Sequence, residues 1–187
     1  MSMDKLMEVN LTDDEFLRMT RYCNVYDEHN GGRKRAQLMG LNEPGVIVGP
    51  GAIVRLSPGS KVERNALIGL YCYVNGKVTI GENVLIGPGC AITAGQHKFD
   101  PETGWFSART EPDGDESIVI GKGSWLCAHV TITPGVKIGR ANLICAGAVV
   151  TRSTPDYAIM AGVPARQKGH IDPTTGDYHW YKNDETS

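Results

Sequence analysis

The stretch KVERNALIGLYCYVNGKVTIGENVLIGPGCAI, residues 61–92, places an aliphatic side chain at every sixth position. The first run of such positions reads Leu56, Val62, Ile68, Val74, Ile80, Ile86 and Ile92, and a second reads Ile120, Leu126, Ile132, Ile138, Ile144 and Val150. A strand repeats every two residues and a helix about every 3.6, so neither produces a strict period of six. This period indicates a β-helix in which each hexad is a short strand plus a turn, with the aliphatic side chain pointing into a prism.

Small or turn-forming residues accompany the aliphatic positions. The residue directly after the aliphatic one is Gly69, Asn75, Gly81, Gly87, Gly121 or Gly139 at the clearest sites. A positive φ suits glycine, and asparagine less strongly, because a Cβ otherwise clashes with the backbone. We therefore expect left-handed backbone directly after the aliphatic residues. The Pro-Gly pairs that begin at Pro58, Pro88 and Pro134 are expected at the corners of the prism.

Composition limits the class of protein. A chain of 187 residues fits one domain with a real core. The formal net charge of −2 implies neither nucleic acid nor an anionic membrane as a partner. No apolar run approaches the roughly 18 residues of a spanning helix, and the start MSMDKLMEVN does not resemble a signal peptide. A cytoplasmic protein is expected.

The cysteines predict packing rather than chemistry. Cys72 and Cys90 lie 18 residues apart (90 − 72), as do Cys127 and Cys145 (145 − 127), which is one full turn of a three-sided coil. Each pair is expected to stack in adjacent coils as small buried hydrophobic side chains. No C-x-x-C sequence is present, so neither a redox motif nor a cysteine zinc site is supported.

The hexads divide the chain into three parts. Residues 1–45 lie outside the register and are expected to form a helical cap, which covers the first coil or contributes to substrate binding. Thr12 and Glu15 fit a capping box, and Phe16, Leu17, Met19 and Tyr22 form the apolar stripe of the helix that follows. The helix is expected to end at Asn30-Gly31-Gly32, with a second short helix over residues 33–39. The β-helix is expected over residues 46–168, and the tail 169–187 as a strand, a short helix or a disordered segment.

A polar insertion separates the two runs of hexads. The distance from Ile92 to Ile120 is 28 residues (120 − 92), which is not a multiple of six. Residues 93–117, from Thr93 to Ser117, are therefore expected to leave the prism as a loop, and a loop of this length is usually functional or disordered. It contains His97, and we interpret it as functional.

Four segments carry a resemblance to a known family: TAGQH at residues 93–97, GSWLCAH at 123–129, ICAGAVVTR at 144–152 and AGVPA at 161–165. Over about residues 46–168 the chain resembles the hexapeptide-repeat acyltransferases, nearest the galactoside, maltose and nodulation, colanic-acid and streptogramin O-acetyltransferases. The resemblance implies a left-handed parallel β-helix and a homotrimer with active sites between subunits. It also implies acetyl-CoA as co-substrate, with no metal required.

Moving an acetyl group from a thioester to a hydroxyl needs a base whose pKa is near neutrality. Histidine meets this requirement, and the resemblance places the family's catalytic histidine on His97. Without the flanking motifs, a lone histidine in a polar loop is more often simply solvated. Asp100 is close enough in sequence to orient the ring by accepting from its other nitrogen, although a solvated loop carboxylate explains it equally well.

The remaining candidate residues also come from the resemblance. The backbone amide of Ala128 matches the oxyanion donor, and that of Ala146 matches an amide that contacts the thiol carrier. Trp125 is expected to point out of the prism beside acyl-CoA, with inter-subunit packing as the rival interpretation. Basic or polar residues near the nucleotide and phosphates match Thr151, Arg152 and Arg166. Asn75 is a candidate for the acceptor hydroxyl or simply a turn residue, and Trp105 belongs to a possible aromatic floor for a sugar ring, with Phe106 and Tyr71 or Tyr73.

Two other classes of protein compete with this prediction. A zinc carbonic anhydrase on the same fold needs three histidines, two of them five residues apart, but Pro134 stands at that spacing from His129. A non-catalytic β-helix binding or scaffold protein has no reason to interrupt its hexads with a polar loop bearing His97. The sequence therefore predicts a CoA-dependent acetyltransferase acting directly on a hydroxyl of a sugar or sugar-like small molecule. N-acetylation of an amino or nucleotide sugar, or acetylation of an antibiotic, is the alternative.

Overall fold

The computed structural model of the chain describes residues 12–15, 17, 30–107 and 115–181. Short strands wind around one core as a β-solenoid of about six turns, as the hexads predict. The all-β solenoid is confirmed, and its left-handed winding stays an expectation from the family resemblance.

The solenoid has three faces, each a sheet in which parallel strands of successive turns pair. Face A contains β1 (Ile47–Val48), β4 (Leu67–Ile68), β7 (Leu85–Ile86), β12 (Trp125–Leu126), β15 (Leu143–Ile144) and β17 (Ala158–Ala161). Face B contains β2 (Ile53–Leu56), β5 (Tyr73–Gly76), β8 (Ala91–Ala94), β13 (Thr131–Ile132) and β16 (Val149–Val150). Face C contains β3 (Lys61–Val62), β6 (Val78–Ile80), β11 (Ile118–Ile120) and β14 (Lys137–Ile138).

The aliphatic positions fill the core as predicted, with one exception in the first turn. All of them from Val62 to Val150 are buried, whereas Leu56 is only half-buried. Val54 pairs with Val74 and Leu56 with Gly76, so Val54 occupies the position that the period assigns to Leu56. The step from face B to face C therefore takes eight residues in the first turn (62 − 54) and six in the next (80 − 74).

The prediction of left-handed backbone directly after the aliphatic residues is wrong. Gly69, Asn75 and their equivalents are not among the positive-φ residues, which instead fall three positions after the aliphatic one, as at Tyr71 (φ 54°) and His129 (φ 58°). The glycines serve close approach: a Cβ on Gly69 would lie 2.6 Å from the carbonyl oxygen of Ile86 in the next turn. The predicted Pro-Gly corners are confirmed, with positive φ at Gly59, Gly89 and Gly135.

A helix covers the open edge of the first turn. The helix, α1 (Asn30–Leu38), includes the predicted second helix, so the prediction that Asn30-Gly31-Gly32 ends a helix is wrong. Gly32 is buried, and a Cβ there would lie 2.5 Å from Cγ2 of Ile47, so glycine lets α1 approach β1. The Arg35 Nε donates to the carbonyl oxygen of Val48 at 2.6 Å.

The start of the chain is described only in part. The capping box is confirmed, because the Thr12 amide donates to Glu15 Oε2 at 2.9 Å and the Glu15 amide donates to Thr12 Oγ1 at 3.3 Å. Hydrogen bonds from Thr12 lower the pKa of Glu15. Leu17 is exposed, and the predicted stripe residues Phe16, Met19 and Tyr22 lie outside the described residues.

The cysteine prediction holds for one pair only. Cys72 and Cys90 are buried, and their thiols donate to the carbonyl oxygens of Gly87 and Cys127, each at 3.1 Å. Cys127 and Cys145 are half-buried, because they lie directly after the core positions Leu126 and Ile144, at the edge of a corner.

The insertion leaves the solenoid after β8 and returns before β11. Its described part, residues 95–107 and 115–117, is called the arm, and it contains an antiparallel hairpin of β9 (Phe99–Asp100) and β10 (Trp105–Phe106). Thr93 and Ala94, expected in the loop, still belong to β8 and pair with Asn75 and Gly76. After the arm, Ile118 pairs with Val78, so the hexads resume on face C of the same turn.

The end of the chain extends face A. Strands β18 (Arg166–Ile171) and β19 (Tyr178–Trp180) form an antiparallel hairpin beside β17, so the described part of the tail is two strand segments joined by a turn. No helix within the described part of the chain has the length and apolar character needed to cross a membrane.

Candidate active site

His97 lies at the base of the arm, three residues beyond the end of β8. Its side chain is exposed, and Nδ1 lies 2.8 Å from the carbonyl oxygen of Ser107. A carbonyl oxygen only accepts hydrogen bonds, so in the neutral ring the proton sits on Nδ1. The contact therefore leaves Nε2 with a free lone pair, which is the form that a general base requires.

The hairpin brings Ser107 to His97. Phe99 pairs with Phe106, their rings meet edge to face at 5.6 Å, and the Ser107 amide donates to the carbonyl oxygen of Lys98 at 2.8 Å. Residue 107 is thereby held next to residue 98 and within reach of the imidazole. The sequence did not predict Ser107, because every residue carries a backbone carbonyl. The two aromatic residues Phe99 and Phe106 are the one signal in the sequence for the strand pairing that brings Ser107 to His97.

Of the two interpretations of Asp100, the contacts favour the loop carboxylate over a group that orients His97. The Asp100 carboxylate accepts from the Glu102 amide at 2.9 Å, and hydrogen bonds from Glu102 and Thr103 lower its pKa. These bonds close the turn of the hairpin, where Gly104 has φ 77°. Asp100 pairs with Trp105, whose side chain is 66% exposed at the end of the arm.

Asn75 lies on face B, one strand from the segment that leads to His97. It pairs with Thr93, and because Val74 and Gly76 on either side are buried, its half-buried side chain points outward. It therefore occupies a strand position rather than the turn suggested as the alternative.

Two backbone amides lie at the corner between faces A and B. Ala128 and Ala146 occupy equivalent positions in adjacent turns, and the Gly147 amide donates to the Ala128 carbonyl at 3.0 Å. Within residues 30–107 and 115–181, the Ala128 amide finds no hydrogen-bond acceptor. Burial raises the pKa of the Cys127 thiol, and the Ala146 amide, which donates to that sulfur, partly offsets the effect.

Trp125 points outward from face A, as predicted, and is 48% exposed. It is part of an apolar row across the face, in which outward residues of successive turns lie in register. The row consists of Ile47, Leu67, Leu85, Trp125 and Leu143. Leu85 is 47% exposed, so the row remains open to solvent around the tryptophan.

The three candidate nucleotide residues divide between two corners. Thr151 and Arg152 follow β16 at the corner between faces B and C, where both are exposed. Arg166 opens β18 opposite Ala161, near the corner between faces A and B, and its Nη1 donates to the Ala165 carbonyl oxygen at 3.0 Å.

The structure thus sorts the candidates into two half-sites. The histidine half-site, at the far end of face B, consists of Asn75, His97, Thr151 and Arg152. The amide half-site, at the corner with face A, consists of Trp125, Ala128, Ala146 and Arg166. Strand β8 alone spans about 10 Å, and Ala128 and His97 lie beyond its opposite ends.

Metal ligands are not grouped at either half-site. In the described ranges 12–15, 17, 30–107 and 115–181, no cluster of three or more His, Cys, Asp or Glu side chains is arranged to hold a metal ion. His129 is exposed at its corner with its ring over Gly89.

The sequence is similar to those of known transferases. Residues 59–94 match the family described as bacterial transferase hexapeptide (six repeats). Galactoside O-acetyltransferase of Escherichia coli strain K12 is 36% identical over 110 residues, 57% of this chain and 50% of that protein. Nodulation protein L of Rhizobium meliloti strain 1021 is 36% identical over 130 residues, 65% of this chain and 69% of that protein. The chain thus spans about half the length of the first relative and about two thirds of the second.

Two solved structures of acetyltransferases share this fold. A galactoside acetyltransferase in complex with coenzyme A is 28% identical with a TM-score of 0.59, over 90% of this chain and 84% of that chain. A maltose O-acetyltransferase from Clostridium difficile 630, 23% identical, shares the fold with a TM-score of 0.60, over 83% of this chain and 84% of that chain. With more than two thirds of nodulation protein L covered at 36% identity, and with the hexapeptide solenoid in the structure, this chain belongs to the hexapeptide-repeat acetyltransferase family.

Proposed function

We propose that this chain is an acetyl-CoA-dependent O-acetyltransferase that acts on a hydroxyl of a sugar or sugar-like molecule. The observation that carries the proposal is the hydrogen bond between His97 Nδ1 and the Ser107 carbonyl, which leaves Nε2 as the proton acceptor. The similarity to a galactoside O-acetyltransferase and to a galactoside acetyltransferase solved with coenzyme A supports the choice of both substrates.

His97 acts as general base in the proposed reaction. Nε2 accepts the proton of the acceptor hydroxyl as its oxygen attacks the thioester carbonyl carbon. The carbonyl π bond opens to a tetrahedral oxyanion, which collapses with cleavage of the carbon–sulfur bond. The proton on His97 then passes to the departing thiolate, so the imidazole ends neutral. The Ser107 carbonyl stabilises the transient imidazolium through its Nδ1 proton.

The Ala128 amide is the proposed donor to the oxyanion. It is half-buried and without an acceptor among the described residues, so it is available for a substrate oxygen. A fixed donor of this kind stabilises the charge that develops on the carbonyl oxygen without reorganisation. The exposed ring of Trp125, three residues earlier, lies beside this donor as a wall for the acyl-CoA arm.

A complete site requires two copies of the chain in this proposal. The base and the oxyanion donor lie beyond opposite ends of face B, too far apart to act on one thioester within a single chain. A homotrimer, as the family resemblance implies, would place the histidine half-site of one subunit against the amide half-site of the next. The exposed apolar row around Leu85 and Trp125 suits such a contact, because burying it removes apolar surface from water.

The arm supplies the proposed acceptor surface. Trp105 and Phe106 are each about two-thirds exposed (66% and 67%), and Phe106 is adjacent to Ser107, the partner of His97. Aromatic faces pack against the C–H faces of sugar rings, so a sugar stacked on the arm would present its hydroxyls toward the base. Asn75, outward on the neighbouring strand, is the proposed hydrogen-bond partner of the acceptor.

Replacing the base tests the proposal. We expect His97→Ala to lower kcat for acetyl transfer by about 10² to 10⁴, the usual contribution of a general base. Coupled thiol-release assays with galactosides measure the rate. Titration calorimetry with acetyl-CoA is the control, and binding should be retained because the imidazole acts on the acceptor. Wild-type turnover in the variant would remove His97 from the mechanism.

A matched pair of acceptors tests the acceptor class. A galactoside and the corresponding amino sugar differ in one hydroxyl and one amine, so their kcat/KM ratio reports oxygen against nitrogen acceptors. We expect the galactoside to be acetylated on oxygen. Acetylation confined to the amine would replace the O-acetyltransferase assignment by an N-acetyltransferase.

A further inference from the structure

The terminal hairpin carries a pair of histidines that the proposed acetyl transfer does not use. His170 on β18 pairs directly with His179 on β19. Their rings stack with centroids 5.0 Å apart and planes inclined by 21°. Both side chains are exposed, and the ring of Tyr181 lies 6.1 Å from that of His170.

Charged groups of both signs lie near the pair. Asp172 lies nearby: hydrogen bonds from Thr174 lower the pKa of its carboxyl, and the charge on His179 contributes in the same direction. The residue opposite His170 on β17 is Ala158, which carries no charge, and β18 carries two cations, Arg166 and Lys168.

We propose that His170 and His179 bind a divalent transition-metal ion together and thereby join β18 to β19. Directly opposed residues of antiparallel strands have Cβ atoms about 4.5–5.5 Å apart, which lets two imidazoles reach one ion. Imidazole nitrogens donate in the plane of the ring, so both rings rotate out of the stacked arrangement until one nitrogen of each lies about 2.0–2.1 Å from the ion. Water completes the coordination on the exposed side.

The ligand chemistry selects the ion. Neutral imidazole suits copper, nickel and zinc, and the order of stability for a given nitrogen site peaks at Cu²⁺. The site therefore prefers Cu²⁺, with Zn²⁺ and Ni²⁺ weaker. Imidazole binds a metal ion through a nitrogen lone pair, so a proton competes with the metal for the same atom.

This site is separate from the proposed acetyl-transfer chemistry. Neither histidine belongs to the histidine half-site or the amide half-site. The ion would act on the hairpin, since a ligand that binds only the folded arrangement stabilises it. Its loss should leave acetyl transfer unchanged.

Copper titration followed by electron paramagnetic resonance tests the proposal on the whole chain. We expect one Cu²⁺ per chain with two coordinated nitrogens, and affinity lower by about tenfold or more in His170→Ala and in His179→Ala. His129→Ala, which removes another exposed histidine, is the matched control and should bind like the wild type. Equal affinity in the wild type and both hairpin variants would overturn the proposal.

A second measurement keeps the test valid if the alanine substitutions distort the hairpin. Zn²⁺ should raise the thermal midpoint of the wild type and of His129→Ala, but not of His179→Gln, which keeps a polar side chain of similar length. The same rise in His179→Gln would assign the metal to other residues and overturn the proposal.

Discussion

Ala128 contributes only a backbone N–H to the proposed reaction, and its place at a corner makes that contribution separable from folding. Pro88 holds the equivalent position one turn earlier, since each follows its core residue by two positions (88 − 86 and 128 − 126). Gly69 lies below Pro88, and Gly87 lies below Ala128. Neither position therefore has a side chain beneath it that would obstruct a proline ring. The corner therefore accepts a residue that has no amide proton.

Ala128→Pro removes the proposed oxyanion donor and little else. We expect kcat to fall by about 10² to 10³, the usual effect of losing one such donor, with a thermal midpoint close to that of the wild type. Steady-state kinetics and thermal unfolding measure the two quantities.

Leu70→Pro is the matched control, because Leu70 holds the same corner position (70 − 68) above Gly49. It should leave kcat unchanged. If both proline variants turn over like the wild type, the Ala128 amide has no part in catalysis.

The spacing between turns determines where the hexads require glycine. Adjacent strands lie about 4.8 Å apart, so a side chain directed along the solenoid axis meets the next turn. A Cβ on Gly121 would lie 2.5 Å from the carbonyl carbon of Gly139, whereas one on Gly123 would meet nothing within 4 Å. Gly123 differs in having φ 69°, in the left-handed region.

Two alanine substitutions separate these effects. We expect Gly121→Ala to lower the free energy of unfolding by about 1–3 kcal/mol, because the backbone of the next turn has to move. Gly123→Ala should cost about 1 kcal/mol or less, since its left-handed strain is partly offset by a stiffer unfolded chain.

Urea denaturation of both variants measures the difference. Equal losses would show that left-handed backbone, rather than contact between turns, governs glycine in the hexads.

The solenoid was predictable because its signal repeats, whereas local departures from the repeat were not. Thirteen aliphatic positions share one period, and only Leu56 departs from it, because two extra residues lengthen a corner of the first turn. The outward direction of Trp125 followed from the same phase.

The partner of His97 was not predictable. The sequence pointed to the nearby carboxylate of Asp100, but the hairpin supplies the carbonyl of Ser107, which any residue would carry. Strand pairing within a polar insertion depends on local contacts, and the six-residue period carries no information about them. The division of the candidates into two half-sites likewise required knowledge of which corner each one occupies.

The chain as a whole offers each half-site once, at opposite edges of one face. In a monomer, the proposed base and the proposed oxyanion donor therefore do not meet. Two inactive variants with defects in different half-sites should complement each other if neighbouring chains share the site.

Mixing His97→Ala with Ala128→Pro tests this sharing. After equal amounts are dissociated and reassembled, we expect about a quarter of the wild-type activity, because random pairing leaves about one site in four with both groups intact. Either variant treated alone is the control and should stay inactive. Absence of recovery in oligomers shown to be mixed would place both groups on one chain.

The arm leaves one turn at the end of face B, and the hexads resume on face C of the same turn, where Ile118 pairs with Val78. The core is thereby insulated from whatever the insertion contains. Turns of a solenoid contact only their neighbours, and lengthening a loop costs free energy only logarithmically. Changes in the arm, the proposed acceptor surface, can therefore alter substrate preference without lowering the stability of the solenoid. In a protein built this way, evolution can keep the fold while the acceptor changes.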